Sequence, residues 1–360
     1  MRIRSSRLLP YRLPLIRPWL THHGSLTERR GWILELTTDD GNRGYGDCAP
    51  LPVAGTELPA AAFDWLRQQL PALSAQPAAE ALAALPLPPQ TPAARHALET
   101  ALLDLLSQSE GVPLRHRLSP NAVDQLLVNG SAGALDSQVL DRCVELIEQG
   151  FRILKVKVGL AAVHQEVRQL QELCRRLPEQ ARLRLDANGA WSLTEARRFL
   201  DGITGLAIES LEEPLVEPVS ESLRALQTST RVVLAMDESL PRFDKESLLQ
   251  RPPVKRLILK PPVLGGLLPT LALAKQAHAV GIQTLITSTL ESAPGLQAAA
   301  QLAAALPGSQ PALAQGLATG SWFLSDLADG PVIEQGRLQL PDRPGLGLSL
   351  KSAFLDQKGG

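Results

Sequence analysis

The chain has 360 residues, 44% hydrophobic and 20% charged, with 36 Lys and Arg against 37 Asp and Glu and a net charge of −1. That length buries a large core without disulfide or metal staples and suits one barrel of roughly 200 to 250 residues beside a smaller domain. The balanced charge, the absence of a basic patch with interleaved aromatics and the lack of any apolar stretch near the roughly 20 residues of a membrane span argue against nucleic acid or membrane as partners.

The three cysteines, Cys48, Cys143 and Cys174, are odd in number, far apart and in no C-x-x-C spacing. They read as reduced thiols of a cytosolic protein, without a zinc or redox site. Met1 to Leu20 does not read as a signal peptide, since Pro10, Arg12, Pro14 and Arg17 interrupt its apolar part. A soluble, cytoplasmic protein is expected.

From Met1 to about Gly46 the pattern predicts strands, at Leu8 to Leu15 and at Trp32-Ile33-Leu34-Glu35-Leu36, the second closed by the turn cluster Asp39-Asp40-Gly41-Asn42. Helical period takes over from about Ala60 to Leu70, then a segment rich in Ala and Pro runs up to Pro92. Ala93 to Leu106 reads as an amphipathic helix with Leu98, Leu102, Leu105 and Leu106 on one face. Strands first and helices afterwards is the order of an α+β domain.

From about Leu126 short apolar strands alternate with helices. Strands are expected at Leu126-Leu127-Val128-Asn129, at Ile153 to Val158, at Leu183-Arg184-Leu185-Asp186, from Ala207 to Glu212, from Val232 to Asp237, from Leu257 to Lys260 and from Gln283 to Thr287. A weaker one lies near Ala312 to Gln315. Helices between them run from about Asp136 to Gln149, stopped by Gly150, from about Val163 to Arg176, and from Ser192, where Glu195 completes a capping box. Eight such buried parallel strands close into a barrel. A doubly wound open sheet is the alternative, but neither G-x-G-x-x-G nor a phosphate loop is present. In the tail, Arg337-Leu338-Gln339-Leu340 and the Pro344-Gly345 turn suggest a strand that packs back on the N-terminal part.

Ile153-Leu154-Lys155-Val156-Lys157-Val158 alternates strictly, so Lys155 and Lys157 share one face. Two ammonium groups on an inner face repel each other and lose hydration, so an anion must face them; on an exposed edge strand they would be solvated guards against aggregation. In a barrel the active site gathers where strands end. Here the ends carry Lys155 and Lys157, then Asp186, Glu212, Asp237 and Lys260, spaced 26, 25 and 23 residues apart from Asp186 onward (212−186, 237−212, 260−237). Any one carboxylate is explicable as a turn cap, Asp186 with Asn188 for instance, but three at consecutive strand ends converge on one point. Three carboxylates without a nearby His or Cys suit a hard cation with open positions, Mg²⁺ before Zn²⁺. Such a cation acidifies the proton alpha to a substrate carboxylate and stabilises the enediolate. A lysine is a base only when neutral, so burial, Lys155, Lys260 and the metal are expected to depress the pKa of Lys157.

Lys155-Val156-Lys157, Asp186-Ala187-Asn188, Glu212-Glu213-Pro214, Met236-Asp237-Glu238-Ser239 and Leu259-Lys260-Pro261 resemble the motif set of the enolase superfamily, in its muconate-lactonising subgroup. The resemblance spans nearly the whole chain. It implies an N-terminal α+β capping domain at 1–120, a (β/α)₇β TIM-like barrel at 121–330 and a C-terminal segment at 331–360 packing back on the cap. It further implies Asp186, Glu212 and Asp237 as Mg²⁺ ligands, with Mn²⁺ able to substitute and with Glu212 rather than Glu213 in the ligand set. Lys157 is then the general base, Lys260 the cation facing the enediolate and Lys155 the support of Lys157. Contacts to a small carboxylate substrate are implied around Thr21 to Thr27, around Pro50 to Thr56, and at Ser288 and Thr289.

Within the subgroup, three further stretches are most similar to the branch that removes water from a hydroxycyclohexadiene carboxylate to leave an aromatic acid. They are Leu183 to Asn188 with Ala190-Trp191, Leu211 to Pro214, and Thr287 to Ser292 with Gly295-Leu296. Racemases, dipeptide epimerases and cycloisomerases share the barrel. A dipeptide epimerase wants carboxylates near the end of strand eight for the substrate amino group, and Ala312 to Ser321 has none. From other classes, a metal-free Schiff-base lyase using Lys260 leaves the three carboxylates unexplained. A binding or scaffold protein on a retired barrel more plausibly loses one of the six charges.

Overall fold

Three antiparallel strands, β1 (Ile3–Thr21), β2 (Gly24–Thr38) and β3 (Arg43–Cys48), form the N-terminal sheet in that spatial order. The computed structural model describes residues 1–21, 24–86, 90–308 and 310–356. Along β1 the side chains alternate, with Tyr11, Leu13 and Leu15 buried and Arg12 and Pro14 exposed, which is the pleat of a sheet with one wet face. Pro10 and Pro14 are tolerated because β1 is an edge strand. Strands β1 and β2 run well beyond the segments expected from Leu8 to Leu15 and from Trp32 to Leu36.

A long helix, Pro92–Ser109, packs on this sheet, and every side chain from Ala93 to Ser107 is buried. It is therefore not amphipathic, in contrast to the expectation for Ala93 to Leu106. The reason is that it has neighbours on both sides. Leu98, Leu102 and Leu105 share a core with Leu34 and Leu36, whereas Leu103 belongs to the core of the barrel. The sheet comes close because Gly46 has no side chain: a Cβ there would lie 1.9 Å from the Ala97 carbonyl oxygen.

After a short strand β4 (Gln125–Leu127), seven parallel strands come in sequence order: β5 (Gly130–Ala134), β6 (Ile153–Lys157), β7 (Arg182–Asp186), β8 (Ile208–Glu212), β9 (Val233–Met236), β10 (Arg256–Leu259) and β11 (Gln283–Ile286). The closing contact comes from Gln315 and Gly316, which bridge in parallel to Val128 and Thr287 and so join the two edges of the sheet. The result is a TIM-like (β/α)₇β barrel with an N-terminal antiparallel sheet. Ser192 caps its helix as expected, its side chain accepting from the Glu195 N–H at 3.3 Å while Glu195 accepts from the Ser192 N–H at 2.9 Å.

One strand assignment is corrected. The apolar run Leu126-Leu127-Val128-Asn129 is not the first barrel strand; that role falls to Gly130–Ala134. Leu126 and Leu127 instead pair antiparallel with β13 (Arg337–Gln339), which forms a hairpin with β12 (Val332–Glu334). Beyond the hairpin, the Leu114 N–H donates to the Gly345 carbonyl at 2.8 Å and the Leu346 N–H to Asp104 Oδ1 at 2.8 Å.

Candidate active site

The strand registers bring the charged residues together. Lys157 pairs with Asp186 across β6 and β7, and Asp186 with Glu212 across β7 and β8. Asp237 comes directly after β9, and Lys260 directly after β10. Asp186, Glu212 and Asp237 are buried, while Lys155, Lys157 and Lys260 are half-buried at the rim of the barrel mouth. Leu154 and Val156 are fully buried in the shared core with Leu170 and Leu173, so the alternation of β6 separates core from site.

Two of the lysines are held by these carboxylates. Lys155 Nζ lies 2.9 Å from Asp186 Oδ2 and also bonds Glu212 Oε2, while Lys260 Nζ lies 2.7 and 2.8 Å from the two oxygens of Asp237. Burial disfavours the charge on Lys155, but Asp186, Glu212 and Asp237 outweigh it and raise its pKa above the ordinary lysine value. Lys260 is raised likewise, with Asp237 and Glu238 overcoming burial. Both are ammonium groups at neutral pH. Lys155 therefore has its charge balanced by two carboxylates, which reduces the repulsion it directs at Lys157. Among the described residues no group of three or more His, Cys, Asp or Glu side chains is placed close enough together to hold a metal ion. The donor chemistry nevertheless suits Mg²⁺, since Asp186, Glu212 and Asp237 are buried carboxylates at successive strand ends; Lys155 bridges Asp186 and Glu212, and Lys260 holds Asp237.

Supporting residues outside the expected ligand and lysine set fix these side chains, Asn188 among them as the turn partner of Asp186. Glu213 has φ +43°, in the left-handed region, and its Oε2 accepts from the N–H groups of Asp237 at 2.7 Å and Ser239 at 3.2 Å. Its side chain is thus committed to the Asp237 loop, leaving Glu212 at the mouth. Asn188, also at φ +43°, donates its N–H to Asp186 Oδ1 at 3.1 Å and its side chain to Glu238 at 3.0 Å. Beneath the mouth, Arg184 lies 3.1 Å from Glu209 Oε2 and 3.9 Å from Glu212 Oε1, and Arg256 lies 2.5 Å from Glu209 Oε1. Burial pushes the Glu209 carboxyl up, but the two guanidinium groups overcome it and hold its pKa at about 2. A signal for this layer exists in the sequence, since Arg184 and Arg256 stand inside otherwise apolar strands.

The expected substrate loops take three different places. Thr21 ends β1 and Gly24 to Thr27 open β2, and His22 and His23 lie outside the described residues. From the Pro50 to Thr56 stretch, Ala54 shares a small cleft with Asp237, Glu238 and Lys260. Ser288 stands just after β11, donates to Glu291 Oε2 at 2.5 Å and accepts from the Thr319 hydroxyl at 3.0 Å. Thr289 is buried and donates both its N–H and its hydroxyl to Glu291 Oε1, at 2.8 and 2.6 Å.

Residues 138–354 match the family model described as Enolase C-terminal domain-like, and residues 3–104 match that of the MenC N-terminal domain. The L-Lys-D/L-Arg epimerase of Methylococcus capsulatus is 33% identical, covering 97% of this chain and 99% of the relative. The o-succinylbenzoate synthase of Pasteurella multocida is 30% identical, covering 84% and 86%. Among solved structures, the dipeptide epimerase of Cytophaga hutchinsonii, complexed with Mg and the dipeptide D-Ala-L-Val, superposes with a TM-score of 0.88 at 24% identity, covering 99% and 98%.

Proposed function

This chain belongs to the enolase superfamily, and on that premise we propose that it is an o-succinylbenzoate synthase. The reaction is loss of water from 2-succinyl-6-hydroxy-2,4-cyclohexadiene-1-carboxylate on the route to menaquinone or phylloquinone. Asp186, Glu212 and Asp237 hold Mg²⁺ in this reading, and Mn²⁺ substitutes. When bound, the ion supplies positive charge that acidifies the proton alpha to the substrate carboxylate and favours the enediolate.

The chain's own residues do the rest. Lys157 takes the α-proton as its C–H bond breaks. Lys260, an ammonium from across the mouth, faces the negative charge that develops. The C–O bond then breaks, and the hydroxyl leaves as water with the proton returned by Lys157. Lys155 keeps the carboxylates of Asp186 and Glu212 oriented. The ring becomes aromatic, so the site has mainly to lower the barrier to proton removal.

One observation supports dehydration over epimerisation. After the eighth strand, Gln315 to Ser321 carries no carboxylate, and the groups brought together there are the hydroxyls of Ser288 and Thr319. The nearby Glu291 is already engaged by Ser288 and Thr289. The hydroxyl protons of Ser288 and Thr319 are given to Glu291 and Ser288 in this arrangement, and turning the Thr319 proton toward a substrate offers a donor that suits the second carboxylate of a succinyl tail better than the ammonium of a dipeptide. Epimerisation is the second reading, favoured by lysines on two sides of the mouth and by the extent of the match to the L-Lys-D/L-Arg epimerase. The test is turnover of the cyclohexadiene acid. Chelation is expected to abolish it and Mg²⁺ or Mn²⁺ to restore it. Full activity in excess chelator defeats the metal assignment and favours a Schiff base on Lys260, which borohydride then traps.

A further inference from the structure

Arg29 on β2 is 2% exposed, and its guanidinium reaches out of the N-terminal sheet to the barrel. It donates to the carbonyl of Leu290 at 2.9 Å, and to those of Pro50 and Ala49 at 3.0 and 2.6 Å. Asp47 on β3 is equally buried. Its Oδ2 accepts from the N–H and hydroxyl of Ser292, at 2.9 and 2.7 Å, and its Oδ1 from the Tyr11 hydroxyl at 2.8 Å. Leu290 lies at φ +65°, a conformation that a leucine keeps only when its surroundings impose it. Its N–H receives the remaining constraint, donating to Ser288 Oγ at 2.8 Å.

We propose that Arg29 and Asp47 are positioning residues that clamp the loop from Ser288 to Ser292 and thereby set how tightly substrate binds. The loop is gripped at Leu290 and Ser292 by two strands of the other sheet, and the hydroxyl of Ser288 sits on the gripped segment. A single arginine also holds Ala49 and Pro50, the start of the Pro50 to Thr56 stretch. Two segments distant in sequence, both expected to face the substrate, are thus fixed by one side chain. The proposal rests on the reading that Ser288 contacts the substrate. It predicts that loosening the clamp weakens binding more than chemistry, because Lys157 and Lys260 stand on other strands.

Amide exchange, read by mass spectrometry on substrate-free protein, tests the clamp without any substrate. In Arg29→Met, exchange across residues 288–292 is expected to speed up about tenfold or more, with residues 186–188 unchanged. With the cyclohexadiene acid, KM is expected to rise about tenfold with kcat altered less than about threefold, and Arg29→Lys to fall between. Should Arg29→Met not fold, Arg29→Lys and Ser292→Ala carry the same comparison. Unchanged exchange across 288–292 in a folded variant overturns the proposal, as does a fall in kcat at constant KM. If wild type does not turn over the cyclohexadiene acid, the proposed function fails by itself. The exchange arm still decides the clamp, and the kinetic arm moves to the N-acylamino acid or dipeptide that wild type accepts.

Discussion

Among the described residues, Lys157 is the mouth lysine that no carboxylate holds, whereas Lys155 and Lys260 are both ion-paired. The proposed roles call for such a difference, since a base must give up its proton and the flanking cations must keep theirs. Lys157→Ala is expected to lower turnover of the cyclohexadiene acid by at least about 10²- to 10⁴-fold, with an unchanged circular dichroism spectrum. Lys260→Ala is expected to be comparably severe through lost stabilisation of the enediolate. Near-normal turnover of Lys157→Ala shifts the base assignment to Lys260. At this scale the sequence is informative: alternation places Lys155 and Lys157 on one face, and regular spacing places Asp186, Glu212, Asp237 and Lys260 at successive strand ends. Glu213, Arg29 and Asp47 are less legible, because their roles lie in hydrogen bonds to main chain far away in sequence.

At the scale of elements, the helix Pro92–Ser109 joins the sheet to the barrel, and it carries a buried histidine. His96 is 1% exposed, its Nδ1 has no hydrogen-bond partner among the described residues, and burial, reinforced by Arg95, pushes its pKa down to about 3. In the unfolded chain a histidine titrates near 6.5. The unfolded state therefore binds a proton between about pH 6.5 and 3 that the folded state refuses. The resulting stability is fully present above pH 6.5 and is lost as pH falls toward 3, at about 1.4 kcal/mol per pH unit. Urea unfolding across this window is expected to show a shallower acid loss for His96→Gln than for wild type; parallel slopes contradict the assignment. One strand is hard to place from sequence for a physical reason. Leu126-Leu127-Val128 has the apolar composition of a buried strand, but its partner, Leu338, lies in the tail. Gly130–Ala134, the strand that enters the barrel, consists of glycine, serine and alanine and gives no β-branched signal.

For the whole molecule, the N-terminal part reaches the barrel mouth at three places. Ala54 lines a cleft with Asp237 and Lys260, Arg29 and Asp47 hold the loop after β11, and Arg95 and Glu99 bond Gly265 and Leu268 beyond Lys260, at 2.5 and 2.9 Å. In the proposed function the barrel supplies the proton chemistry, and these contacts would shape what lies between the lysines. Dehydration and racemisation accordingly begin with the same proton removal and diverge only afterwards, at loss of the hydroxyl or return of a proton to the opposite face. The most direct test offers the protein the cyclohexadiene acid and, separately, an N-acylamino acid and a dipeptide in D₂O, with products and deuterium monitored by NMR. Rapid conversion to o-succinylbenzoate, with little or no α-deuteration or inversion of the amino acid substrates, is the predicted result. Rapid α-deuteration with inversion and no conversion of the cyclohexadiene acid contradicts it.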